Sequence, residues 1–187
     1  TEKQLEEEII KIINLADEIY KTFGLTYELE LSTKPEKSIG NQKMWDSAED
    51  SLKNALDTLK LEYQLNEGDG AFYGPKIDFH IKDSIGRSWQ CGTIQVDFSM
   101  PEKFDLEYTG EDNKKHRPVM VHRALLGSLE RFFGILIEHY AGKFPLWLSP
   151  VQVKIMNVND EVLDYSNKIK EELEKNDIRV EIDDRNE

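Results

Sequence analysis

At 187 residues the chain has room for one domain and part of another, and its 39% hydrophobic and 33% charged residues have the profile of a globular protein. No apolar run approaches the roughly 20 residues that a bilayer span needs, and the single cysteine, Cys91, excludes an intramolecular disulfide. With 24 Lys and Arg against 37 Asp and Glu, the formal charge of −13 argues against holding nucleic acid through the overall field, though not through a local basic contact. The opening Thr1-Glu2-Lys3-Gln4 carries neither a methionine nor a signal peptide, so the expectation is an excised piece of a longer, cytoplasmic protein.

Leu5, Ile9, Ile12, Ala16, Ile19 and Phe23 recur at helical spacing and share one face, and Gly24 follows as a stop. Leu25, Tyr27, Leu29 and Leu31 then alternate with polar residues as a half-buried strand. A second helix carries Trp45, Ala48, Leu52, Ala55, Leu56 and Leu59 as its apolar stripe. Beyond the turn Glu67-Gly68-Asp69-Gly70, a strand with Ile77, Phe79 and Ile81 predicts an antiparallel partner over Trp89 to Phe98. Met100 to Arg117 reads as a charged surface excursion. A long helix is expected over Arg123 to Tyr140, burying Leu125, Leu129, Phe132, Phe133, Leu136 and Ile137. Past Pro145 and Pro150 come a buried strand Val151–Val158, a helix Glu161–Lys175 and a short strand Arg179–Ile182. These form the opening βαβ of a second, parallel-sheet domain, with the boundary near Leu148–Pro150.

Four segments offer chemistry. In Gly70-Ala71-Phe72-Tyr73-Gly74-Pro75-Lys76, Lys76 either meets an anion or is a solvated lysine at a hairpin turn. Along Trp89-Gln90-Cys91-Gly92-Thr93-Ile94-Gln95, strict alternation puts Gln90 and Gln95 on opposite faces, with Cys91, Thr93 and Gln95 sharing one. Those amides and hydroxyl either bind a polar ligand or face solvent, and Cys91 reads as a small buried hydrophobe. His122 ends the run Val119-Met120-Val121 as either a structural or a ligating histidine, and the other histidines show no metal spacing. Gly127 to Arg131 places a close-approach glycine in the expected helix. Ser128 and Arg131 follow on one face, the arginine either clamping a phosphate or planar ring or making a surface salt bridge.

In this order the segments resemble the catalytic domain of the threonyl-tRNA synthetase family, within the class II aminoacyl-tRNA synthetases. The residues carrying the match are Leu31 to Lys37, Gly70 to Lys76, Gln90 to Phe98, Tyr108 to Asn113 and Val121 to Phe132. The run Trp147 to Val153 resembles that family's passage into its anticodon-binding domain. The resemblance covers essentially the whole chain and implies an α+β fold: a class II antiparallel sheet of six or more strands flanked by helices over 1–149. Residues 150–187 would be the truncated start of an α/β anticodon-binding domain.

The implied activity is ATP-dependent attachment of threonine to tRNA(Thr) through a threonyl-adenylate. The resemblance assigns catalytic roles to Lys76 and Arg131, ATP contacts to Gln90, Thr93 and Arg131, and the threonine and adenylate pocket to Tyr73, Lys76, Gln95 and Ser128. It makes His122 one of three zinc ligands, the other two and the second class II signature lying upstream of Thr1. It implies Zn2+, Mg2+ with ATP, a homodimer and no membrane, and an inactive fragment when this chain is alone. Two alternatives are another class II enzyme such as the prolyl one, and a synthetase-like protein that binds without ligating. The run Gly92 to Phe98 with His122 argues against the first, and the retained Tyr73, Lys76, Gln90, Arg131 and His122 against the second.

Overall fold

A computed structural model describes residues 1–185; Asn186 and Glu187, the end of the expected 150–187 domain, lie outside the described residues. Its elements in chain order are α1 (Glu2–Thr22), β1 (Tyr27–Ser32), α2 (Gln42–Thr58), β2 (Gln64–Asn66), β3 (Lys76–Lys82), β4 (Ser88–Asp97) and α3 (Ser99–Lys103). They continue with β5 (Tyr108–Thr109), β6 (Lys115–His116), β7 (Met120–Ala124), α4 (Leu129–His139), β8 (Val153–Met156), α5 (Leu163–Glu174) and β9 (Val180–Asp183). Two units emerge, Thr1–His139 and a second that begins at Tyr140, upstream of Leu148–Pro150. In the second unit the Arg179 guanidinium donates to the carbonyls of Trp147 and Ser149, each at 2.8 Å, so the connection before Pro150 is tied to the strands after it.

The first unit is built on a sheet in the order β2-β1-β3-β4-β7. It is antiparallel except at its edge, where β2 runs parallel to β1. Its five strands fall short of the six or more that the resemblance implies. Leu29, Leu31, Ile77, Phe79, Ile81, Ile94 and Val96 form the apolar core with residues of α1 and α2, Phe79 and Ile94 being 0% exposed. The α2 stripe is as expected, Trp45 to Leu56, although Leu59 stays half-buried beyond the helix.

The expected faces of two helices are corrected. On α1 the buried residues are Leu5, Ile9, Ile13, Ala16 and Tyr20, with Ile12 and Ile19 only half-buried. The Tyr20 ring sets that rotation: it sits 5.3 Å from Tyr27 and 5.9 Å from Phe79, and its hydroxyl donates to the Leu125 carbonyl. Likewise α4 starts at Leu129, not Arg123, because Arg123 and Ala124 extend β7 against Ile94 and Thr93. The glycine meant for its interior, Gly127, precedes the helix at φ +67, where a side chain is strained and a Cβ would lie 3.0 Å from the Cys91 carbonyl oxygen. Phe132, Ile135 and Leu136 are buried on α4, while Leu129, Phe133 and Ile137 are exposed.

In the second unit β8 and β9 pair in parallel with α5 between them in sequence. The expected buried strand Val151–Val158 is shorter and not buried: Val153 and Ile155 are half-buried, Met156 is 73% and Val158 95% exposed. A pair of strands has too little sheet to enclose both faces.

Candidate active site

Cross-strand partners project to the same side of a sheet, so the ladder defines rows of side chains. One row runs Ser32, Lys76, Gln95, His122; the next runs Glu30, Asp78, Thr93, Ala124. Both lie on the face opposite the apolar core. A third row is set by a bulge. Phe79 pairs with Gly92 but His80 pairs with Gln90, so Cys91 has no opposite number. The extra residue inverts the alternation and brings Gln90 to the side of Thr93 and Gln95. The expected opposition of Gln90 and Gln95 is therefore corrected, as is the grouping of Cys91 with Thr93. Gln90 Nε2 accordingly donates to Asp78 Oδ1 at 2.6 Å. Cys91 is 2% exposed, and burial pushes its thiol up against a weaker opposing pull from Arg131.

Lys76, Gln95 and His122 are each held by a partner. Lys76 is no solvated turn lysine: its Nζ lies 2.6 Å from Asp78 Oδ2 and 3.6 Å from Asp69, with 18% side-chain exposure. Burial lowers its pKa, but the hydrogen bonds and charges of Asp78 and Asp69 outweigh that and hold it above the usual lysine value. Gln95, 8% exposed, accepts from the Tyr73 hydroxyl at 2.6 Å and donates to the Gly74 carbonyl at 3.4 Å. Gly74 must be glycine, since a Cβ there would stand 1.7 Å from the Val96 carbonyl oxygen. The Tyr73 ring stands edge-on to His122 with centroids 6.0 Å apart. His122 Nε2 lies 2.8 Å from Asp97 Oδ2, and Asp97 is 0% exposed. The Ser32 hydroxyl, also 0% exposed, has no partner among the described residues, as on a face shaped for a polar ligand.

The remaining expected residues sit at the end of β4 and the start of α4. Arg131 Nη1 donates to the Gln90 carbonyl at 2.9 Å, and its guanidinium lies 5.6 Å from the centre of the Trp89 ring. Ser128 Oγ accepts from the Arg131 backbone N–H at 3.2 Å and so caps α4; no contact joins its side chain to the Lys76–Gln95–His122 row among the described residues. Thr93 is half-buried opposite Asp78.

Composition and spacing gave no role to Asp78, Asp97 or Trp89. The signal for the two acids was there: a carboxylate between Ile77 and Phe79, or after Val96, is costly in a strand interior unless it is paired. As a place for zinc, His122 fits as one donor, with Nδ1 unbonded among the described residues. The one group of three possible ligands within 4.8 Å among the described residues is Glu30, Asp78 and His80, which excludes His122, and its Asp78 already serves Lys76 and Gln90.

Residues 1–140 match the tRNA synthetase class II core domain (G, H, P, S and T), and residues 152–187 match the anticodon binding domain. A threonine-tRNA ligase of Clostridium botulinum is 63% identical over the whole chain, and one of Clostridium tetani 62%. The chain spans 29% of the length of each of these relatives. Among solved structures, the RNA binding domain of threonyl-tRNA synthetase from Cryptosporidium parvum superposes with a TM-score of 0.92 at 41% identity, over 99% of this chain and 47% of that one. Giardia lamblia prolyl-tRNA synthetase, in complex with prolyl-adenylate, shares the fold at 20% identity and a TM-score of 0.50, over 62% of this chain and 26% of that one. With its class II core matched over residues 1–140 and 63% identity to a threonine-tRNA ligase over its own length, the chain belongs to the class II aminoacyl-tRNA synthetase family.

Proposed function

We propose that this chain forms part of the aminoacylation site of a cytoplasmic threonine-tRNA ligase, which uses ATP to join threonine to tRNA(Thr) through a threonyl-adenylate. The observation that carries the reading is the single row Lys76–Gln95–His122, each member held by a buried or half-buried partner. Adenylate formation builds negative charge on the α-phosphate and expels pyrophosphate, so preplaced cations are its main electrostatic need. Lys76, kept charged by Asp78, faces the developing charge. Arg131, free on its outer face, takes the adenine ring or the phosphates of ATP, which carries Mg2+. Gln90 and Thr93 line the nucleotide side, and Gln95 with Tyr73 orients the amino acid. Ser128, by capping α4, holds Arg131 at the start of that helix.

His122 offers one nitrogen to zinc, with two further ligands from residues outside this chain. When bound, that ion supplies Lewis-acid sites for threonine's amino nitrogen and hydroxyl, which valine cannot match. An apolar pocket alone separates such near-isosteres by only about 100-fold. tRNA(Thr) is then the acceptor, with the anticodon-binding segment as a second contact, and the parent enzyme works as a homodimer. The 187-residue chain alone neither holds stoichiometric zinc nor activates threonine. Threonine-dependent pyrophosphate exchange in the full-length enzyme tests the reading. His122→Ala abolishes exchange with threonine while ATP binding through Arg131 persists; a variant still preferring threonine over valine would return His122 to a structural role.

A further inference from the structure

Asp97 is fully buried in the first unit, and neither of its oxygens is idle. Oδ1 accepts the backbone N–H groups of Ser99 and Met100 at 2.8 and 3.0 Å, closing the turn from β4 into α3. Oδ2 lies 2.8 Å from His122 Nε2. Rotating the carboxylate to release the imidazole would take its acceptor from the two backbone donors that close the β4–α3 turn, so its direction is set by the fold rather than by His122. With Oδ1 taken by two backbone donors, Asp97 meets His122 as an acceptor through Oδ2, which puts the proton of this bond on Nε2. In a neutral ring the lone pair then sits on Nδ1, for which the described residues provide no partner.

We propose that Asp97 is a positioning residue that fixes His122 as its Nε2–H tautomer, so that Nδ1 is the atom His122 offers to zinc. This rests on the reading of His122 as a zinc ligand and says which nitrogen ligates and what orients it. A histidine whose second nitrogen donates to a carboxylate is oriented and made more basic, and loss of such a partner typically costs about 10–100-fold in metal affinity.

The decisive variant is Asp97→Asn. Its carbonyl oxygen stays with the Ser99 and Met100 N–H groups, since an NH2 there would oppose two donors. The amide NH2 therefore faces His122 and needs a lone pair on Nε2, which moves the proton to Nδ1 and blocks the ligating atom. In the full-length enzyme we expect Asp97→Asn to hold zinc about 10–100-fold more weakly in competition with a chromogenic chelator. Wild-type affinity in that variant overturns the proposal. His122→Ala, measured in parallel, separates the two readings: if it keeps zinc, His122 is no ligand at all; if it loses zinc while Asp97→Asn retains it, only the tautomer assignment falls. Should Asp97→Asn not fold, solid-state 15N spectra of histidine-labelled wild-type holoenzyme decide, with the His122 signals identified by their absence in His122→Gln. Protonated Nε2 with metal-bound Nδ1 supports the assignment; protonated Nδ1 with metal-bound Nε2 overturns it.

Discussion

Asp78 and Phe79 are neighbours on β3, exposed by 1% and 0%, yet they belong to different worlds. Phe79 faces the helices and touches the rings of Tyr20 and Tyr27, with centroids 5.9 and 5.5 Å away. Asp78 faces the other way and binds the lysine and the glutamine that the proposed chemistry uses. One face of the sheet is cohesive through area, the other through pairing. Area is forgiving of detail and costly to remove, whereas a paired polar face adds little net stability and fails when one member is deleted. The same strand thus serves as scaffold and as site, and substitutions one residue apart should separate the two.

The largest effect is expected at Phe79. Phe79→Ala removes the ring from a fully buried position and should destabilise the chain by about 3–5 kcal/mol, read from the urea midpoint. A loss under 1 kcal/mol would mean that the apolar face collapses around the cavity and is not the scaffold described.

Asp78→Asn is the matching change on the polar face, with a smaller stability cost of about 1–3 kcal/mol. The single amide oxygen can stay with Lys76 while Gln90 turns its carbonyl to the new NH2, so the cost comes from losing the carboxylate charge beside a half-buried lysine. The pH dependence sharpens the test. The raised pKa of Lys76 means its contribution to stability is fully present below the unfolded lysine value, near about 10.4, and is lost as pH rises through the higher folded value. Without the Asp78 charge only Asp69 is left to oppose burial, and the value falls from its wild-type level. Wild type minus variant stability should therefore shrink at alkaline pH, as seen in urea midpoints across that range; a difference that stays flat there would detach Lys76 from Asp78.

The apolar face was legible from sequence because Ile77, Phe79 and Ile81 keep strict alternation, and the α2 stripe because its spacing is regular. The polar face was legible only in part. Alternation fails at Cys91, where one extra residue turns Gln90 over; the bulge leaves no mark of its own in composition. The nearest trace is Gly92, whose missing Cβ makes room for the Tyr20 hydroxyl. The expected start of α4 lies too early because Val119 to Leu126, apolar apart from His122 and Arg123, suits a strand and a helix equally, and only pairing with β4 decides. Site candidates came from motif order, but their anchors did not. Asp78 and Asp97 matter through partners 12 and 25 residues away, and such pairings are properties of the ladder and its turns.

The smallest effect is expected where the two faces exchange at the β3–β4 hairpin. Trp89 pairs with Ile81 on the apolar side of the bulge, and Gln90 pairs with His80 on the polar side. The Trp89 indole N–H donates to Asp83 Oδ2 at 2.9 Å, and two guanidiniums approach its ring, Arg87 at 5.4 Å and Arg131 at 5.6 Å from the centroid. Burial raises the Asp83 carboxyl, but hydrogen bonds from Trp89, Arg87 and nearby backbone prevail and hold it well below the usual range, so the anchor stays charged. Trp89→Leu keeps Asp83 bonded to Arg87 and to the Ile85 N–H, and so spares the hairpin. It removes the aromatic face beneath Arg131, worth about 0.5–1 kcal/mol at an exposed site. In the full-length enzyme this corresponds to a rise of about 2–5-fold in KM for ATP with little change in kcat, and Trp89→Phe should recover part of it. An unchanged KM in Trp89→Leu would show that the bond from Arg131 to the Gln90 carbonyl is sufficient to position the guanidinium, and that the bulge, rather than the indole, is what carries the apolar face's order across to the polar one.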